Sequence, residues 1–169
     1  MLLTHPLTIQ EVNNSLSENF IRIFGNVVEH CPAAAIGILK KRPFSDVNHI
    51  IKAVIDFLDS LKISEKEKIL QLYPDLLNKL TYLSSLQLEM EITGKDHLSV
   101  EEKRKLRELN SRYKNKFGFP FIVGSKEECI FTIVSEIVSR LQNDKDRELR
   151  IAMEEVKNIV KLRIHEIVR

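Results

Sequence analysis

The chain has little of what marks most specialised protein classes. Its two cysteines, Cys31 and Cys129, lie far apart with no Cys-x-x-Cys spacing and no obvious base beside them in sequence. That argues against a disulfide framework or a catalytic thiol, and both are expected as buried thiols in apolar helices. Five glycines and five prolines are too few for a loop-rich all-β chain. No stretch approaches the ~20 apolar residues of a membrane span. Residues Met1 to Pro6 are too short and too weakly apolar for a signal peptide, so the expected location is cytoplasmic. A formal charge of +2 gives no electrostatic case for a nucleic-acid partner. His5, His30, His49, His97 and His165 are scattered, with no pair at zinc-site spacing. A nucleophile elbow, a phosphate loop and a dinucleotide fingerprint are all lacking. If the chain is an enzyme, it is expected to work with no metal and no nucleotide cofactor.

What is present is helical punctuation. Apolar and charged residues make up 43% and 30% of the chain. That is a soluble composition, and the length suits one domain over residues 1–169. The pattern Ser/Thr-x-x-Glu satisfies unpaired amides at a helix start reciprocally. It occurs at Thr8/Glu11, Ser64/Glu67, Ser99/Glu102 and Ser125/Glu128. Pro32 opens another segment and Ser45-Asp46 a further one. These starts predict helices at about 8–14, 17–29, 32–40, 46–61, 65–72, 84–93, 100–117, 126–142 and 145–168. Ile130, Val134, Ile137, Val138 and Leu141 form one expected core stripe. Leu149, Ala152, Val156, Ile159, Val160 and Arg163 lie along another. No period-2 run survives beyond a few residues, so the expected fold is an all-α bundle of about eight or nine helices. The charge run from Glu101 to Glu108 reads as a solvated helix face, with Glu101 pairing to Lys105 at i,i+4.

The most informative segment is Arg112-Tyr-Lys-Asn-Lys-Phe-Gly-Phe-Pro-Phe-Ile122. A charged amphipathic helix stops at Gly118, and Pro120 pushes Phe119 toward an extended conformation. Amides left unpaired by such a break need another partner, which in a packed helical protein can be a ligand. Phe24-Gly-Asn-Val-Val-Glu-His-Cys-Pro32 reads as a helix with a close approach at Gly25, ended at Pro32; His30 suits a core or capping role better than a catalytic one. Tyr73-Pro74-Asp75 ends one helix and starts another, and by packing alone Tyr73 is a core residue. Arg163 falls near the buried stripe of the last helix. It needs an internal carboxylate, a route to solvent, or an anionic ligand.

Taken together, these segments resemble the 2-oxo-4-hydroxy-4-carboxy-5-ureidoimidazoline (OHCU) decarboxylases, which complete the conversion of urate to (S)-allantoin. The matching stretches are 24–32, Lys41 to Asp46, Pro74-Asp-Leu76, Leu109 to Ile122, Glu148 to Lys157 and Leu162-Arg-Ile164. The resemblance implies an all-helical, usually dimeric, cofactor-free decarboxylase. It also implies a proton donor within a His-Pro-Asp-Leu motif, with a Glu and an Arg holding substrate and Phe-Pro-Phe-Ile amides binding its carbonyls. Carried onto this chain, Tyr73 stands at the position of the His and Glu89 is the Glu. The substrate-binding residues become Pro74, Ser85, Phe119, Phe121, Ile122 and Arg163. An ordinary phenol titrates near 10 and an imidazole near 6.5, so Tyr73 is the weaker acid. Two readings follow: a decarboxylase acting on the ureidoimidazoline, or an inactive member that binds a purine-like ligand or a protein partner.

Overall fold

A 23-residue helix near the C-terminus organises the molecule. In the computed structural model, which describes residues 5–75, 99–124 and 130–169, the helices are α1 (Ile9–Asn14), α2 (Ser17–Phe24), α3 (Pro32–Leu39), α4 (Val47–Asp59), α5 (Ile63–Gln71), α6 (Val100–Phe117), α7 (Ile130–Arg140) and α8 (Lys145–Ile167). The long helix, α8, starts where the Asp144 side chain accepts from the Arg147 amide at 2.8 Å. It runs about 34 Å. Its residues Leu149, Ala152, Met153, Val156, Val160 and Ile164 recur at three and four and are buried. This stripe meets α4, α5 and α6, while α2, α3 and α4 pack in succession. Among the described residues there is no strand. One parallel bridge, Leu7 with Val168, ties the two ends of the chain, with the Leu7 amide donating to Ile167 at 2.7 Å.

Local chemistry sets most helix starts as expected. Thr8 with Glu11 and Ser99 with Glu102 form reciprocal capping boxes, Asp46 caps α4, and Pro32 occupies the first turn of α3. The expected cap at Ser125/Glu128, the helix at 84–93 and Cys129 lie outside the described residues. Cys31 is a free thiol and half-buried.

Four expectations are corrected. The second helix ends at Phe24, not 29. Gly25 weakens the helix by about 1 kcal/mol relative to alanine, and the Asn26 side chain accepts from the His30 amide at 2.8 Å to form a turn instead. That turn places His30 at φ 47°, the left-handed region, with its ring largely exposed. The fifth helix begins at Ile63, ahead of Ser64. Two residues earlier than Ser64/Glu67, Glu65 occupies the third position and accepts from the Lys62 amide at 2.8 Å, which lengthens the helix. Glu101 pairs with Arg104, one residue short of Lys105, because a guanidinium reaches back across a single turn with two nitrogens. On α7 the buried face is Ile133, Ile137 and Arg140, continued by Leu141 just past its end, while Val138 is exposed. The face is rotated because Arg140 has buried partners, described below.

Candidate active site

The turn between α2 and α3, the end of α5 and the last third of α8 converge on one polar cluster. Breaking α2 at Gly25 frees the Asn26 carbonyl, and Arg163 Nη1 donates to it at 2.8 Å. Arg163 Nη2 donates to Glu29 Oε2 at 2.5 Å, so the guanidinium is pinned by two groups of one turn. A guanidinium has five N–H donors, and these bonds leave others for a ligand. The Glu29 side chain is only 12% exposed, and its second oxygen lies 3.4 Å from His30 Nε2. The Glu29 amide also donates to the Tyr73 hydroxyl at 3.4 Å. Glu29 therefore touches both Arg163 and Tyr73, which sequence reasoning paired only through the family resemblance.

Tyr73 is 6% exposed. Burial pushes its phenol up to about 12; the Glu29 amide and Arg163 oppose the rise, and the Glu29 carboxylate adds to it. The phenol oxygen accepts from Glu29, and its own proton has no acceptor among the described residues. Tyr73 is thus a neutral hydrogen-bond donor throughout the neutral range. Because the folded-state value lies above the ordinary 10, this contribution to stability is intact below pH 10 and is lost as pH rises toward 12. Two pH units amount to about 3 kcal/mol. Denaturant unfolding of the protein and of Tyr73→Phe between pH 9 and pH 12 is expected to show a steeper alkaline loss in the unsubstituted chain. Parallel curves would contradict this.

Behind Tyr73 the chain is tied to the helix break. Pro74 is exposed, and Asp75 accepts from Asn110 Nδ2 at 2.7 Å and from Lys114 Nζ at 2.9 Å, both on α6. Gln71 Nε2 donates to the Gly118 carbonyl at 3.3 Å. Gly118 caps α6 at φ 80°, the left-handed geometry its lack of a Cβ permits, and its amide closes on Lys114 at 2.8 Å. Beyond it the chain bends at Phe119 and continues outside helix and strand through Phe121 and Ile122; all three are at most 3% exposed. The amides of these three residues have no partner among the described residues. Buried amides are almost always paired, so a row of unpaired donors marks a place for a ligand.

The segment is anchored from two other helices. Arg140 on α7 donates through Nη1 to the Ile122 carbonyl at 2.8 Å, and its guanidinium lies 4.4 Å over the Phe121 ring. Arg140 Nε donates to Glu148 at 2.6 Å. Glu148 also accepts from the Tyr113 hydroxyl and from Asn143 Nδ2 at 2.9 Å. The Tyr113 phenol is raised well above the ordinary tyrosine range, by burial first and then by Glu148. At the far end, Glu155 Oε2 accepts from the Gly124 amide at 2.6 Å. Any Cβ at Gly124 would meet that carboxylate and the Asn158 side chain at 2.9 Å.

Of the residues expected at the site, Tyr73 and Arg163 are brought together through Glu29. Pro74 adjoins Tyr73, and Phe119, Phe121 and Ile122 form the anchored segment. Ser85 and Glu89 lie outside the described residues. Sequence reasoning missed Glu29, Arg140 and Glu148 as site residues. A signal existed: Arg140 stands three residues after Ile137 and seven after Ile133, on the apolar face of its helix. An open groove of about 370 Å³ on α7, lined by Thr132, Ser135, Glu136, Ser139 and Arg140, includes neither Tyr73 nor Arg163.

Among the described residues the fold and site define a helical protein in which a polar cluster at Glu29, Tyr73 and Arg163 is tied, through Gln71 and Gly118, to a buried segment whose amides have no partner. The family model described as OHCU decarboxylase matches residues 13–165, and the chain belongs to that family. The 2-oxo-4-hydroxy-4-carboxy-5-ureidoimidazoline decarboxylase of Xenopus laevis is 38% identical, over 94% of this chain and 93% of that protein. A crystal structure of (S)-allantoin synthase superposes with a TM-score of 0.81 at 19% identity, covering 96% of this chain and 54% of that one. A second, of OHCU decarboxylase in the presence of (S)-allantoin, gives 0.66 at 20%, covering 89% and 96%. At those identities the two structures speak to fold alone.

Proposed function

We propose that the chain is a cofactor-independent decarboxylase of urate breakdown, converting 2-oxo-4-hydroxy-4-carboxy-5-ureidoimidazoline to (S)-allantoin. The observation that carries this reading is that Arg163 and Tyr73 meet one turn, at Asn26 and Glu29, while Gln71 ties the end of α5 to a buried segment whose amides have no partner among the described residues. The substrate is anionic, and Arg163 is a fixed cation with donors to spare. When the carbon–carbon bond breaks and CO₂ leaves, the electron pair spreads onto an adjoining carbonyl oxygen. Amides of Phe119, Phe121 and Ile122 stabilise that oxygen with donors already in place and away from water. The carbanion is then protonated on one face, which sets the (S) configuration. Tyr73 offers the proton, and water returns it. Glu89 and Ser85, with Pro74 beside Tyr73, complete the proposed binding set. The proposed enzyme is a single-domain cytoplasmic protein and a homodimer. No described helix is long and apolar enough to cross a membrane.

A second reading has an observation of its own. A phenol pushed up to about 12 is a far weaker acid than imidazolium, which suits a pocket that binds a purine-like ligand or supports a protein partner without turnover. Release of CO₂ from freshly generated substrate separates the two. The first reading expects release above the spontaneous rate from the unsubstituted chain. A silent chain that gains turnover of ~10²-fold or more on Tyr73→His supports the second, since a matched general acid is worth about that much.

A further inference from the structure

We propose that Arg140, Glu148 and Tyr113 are positioning residues, holding the 119–122 amides in register for the substrate; this rests on the decarboxylase reading above. Arg140 is 4% exposed and Glu148 is fully buried. Burying such a pair costs desolvation, and apolar residues of similar volume often serve stability as well or better. Stability alone is therefore a weak reason for the pair. Its geometry supplies a better one. Arg140 uses one nitrogen on Glu148 and another on the Ile122 carbonyl, while its plane covers Phe121 at 4.4 Å. Tyr113, the other group on Glu148, sets its ring edge against Phe121 at 5.3 Å and Phe119 at 6.1 Å. Each proposed amide-donor residue is thus touched by a member of the network.

The segment needs such support. It has left helix α6, has joined no sheet, and its amides have no backbone partner among the described residues. Without Arg140, Gly118 and the Glu155 bond to Gly124 still hold the two ends, but the Ile122 carbonyl between them loses the guanidinium it accepts from. Its peptide plane would then be less firmly set. A donor displaced by ~1 Å loses most of its advantage, on the order of a hundredfold in rate.

The test is the triple variant Tyr113→Phe/Arg140→Met/Glu148→Met, which removes the polar groups together and leaves no lone buried charge. Arg140→Lys is the second variant: it keeps a cation but cannot serve Glu148 and Ile122 at once. Four measurements apply: thermal midpoint, amide exchange resolved across 119–124, kcat and KM for the ureidoimidazoline, and (S)-allantoin binding by calorimetry. Either variant is expected to fold with a midpoint close to that of the unsubstituted chain. Exchange should rise about tenfold or more at 119–124 and nowhere else, and kcat should fall about a hundredfold with KM changed less, because the donors act on charge that develops in the transition state. Unchanged exchange overturns the proposal. So does faster exchange with unchanged kcat. An unsubstituted chain that neither binds (S)-allantoin nor turns over overturns the decarboxylase reading instead, and the exchange readout still reports whether the network orders the segment.

Discussion

Arg163→Gln is expected to lower kcat/KM for the ureidoimidazoline by about a hundredfold or more, with a smaller cost in stability. Glutamine can replace one donor but not the charge or the fork, and truncating the partner of a desolvated anion costs ~2–5 kcal/mol. Arg163 sits on the last third of α8, half-buried, with its guanidinium set by Asn26 and Glu29. Those groups orient it; they do not consume it. Its removal leaves the Glu29 carboxylate beside His30 at 3.4 Å and 12% exposed, so that charge keeps contact with water. The stability cost is expected at about 1–2 kcal/mol. Arg163→Lys should recover part of the binding and less of the rate, because a point charge cannot hold two groups in one plane. Steady-state kinetics paired with denaturant melts separate the effects. A loss of stability in proportion to the loss of rate would assign Arg163 a structural role only.

The second large effect falls on stability. Glu148→Leu is expected to destabilise the fold by about 3–5 kcal/mol, because it strands Arg140 as an uncompensated buried cation. Glu148 accepts from Arg140, Tyr113 and Asn143, so three donors lose their acceptor at once. Arg140 retains Glu136, whose nearer oxygen is 3.8 Å away, and the Ile122 carbonyl. Neither replaces a charge in direct contact. Adding Arg140→Met to Glu148→Leu should recover a good part of the loss. Urea unfolding of the single and double variants checks this, and a single variant within about 1 kcal/mol of the unsubstituted chain would contradict it.

The legible features were those made by neighbours in sequence. Thr8 with Glu11, Ser99 with Glu102, Asp46 and the Gly118 stop are local chemistry, and the chain adopts them as written. The end of α2 was not legible in that way. Gly25 permits a break without requiring one, and the break is used by Arg163, which is 137 residues from the Asn26 carbonyl it takes. The same holds for the α7 face. Sequence periodicity sorts residues by apolarity, and Arg140 reads as polar until Glu148 and the Ile122 carbonyl are beside it. The amide row at 119–122 was legible because Gly118 and Pro120 force the exit from helical geometry. Its anchoring by α7 and α8 was not, since long-range hydrogen bonds leave no period. The resemblance to the decarboxylases supplied the pairing of Tyr73 with Arg163; Glu29, which links them in space, stood in one of its motifs with no role attached.

The most direct test of the account is the handedness of the product. Urate is oxidised in place to supply fresh substrate, the protein is added, and the circular dichroism of the allantoin is followed. The account predicts an excess of (S)-allantoin, formed faster than the spontaneous reaction and in proportion to protein, because Tyr73 and the 119–122 amides fix one face of the carbanion. Racemic allantoin at the uncatalysed rate would contradict it.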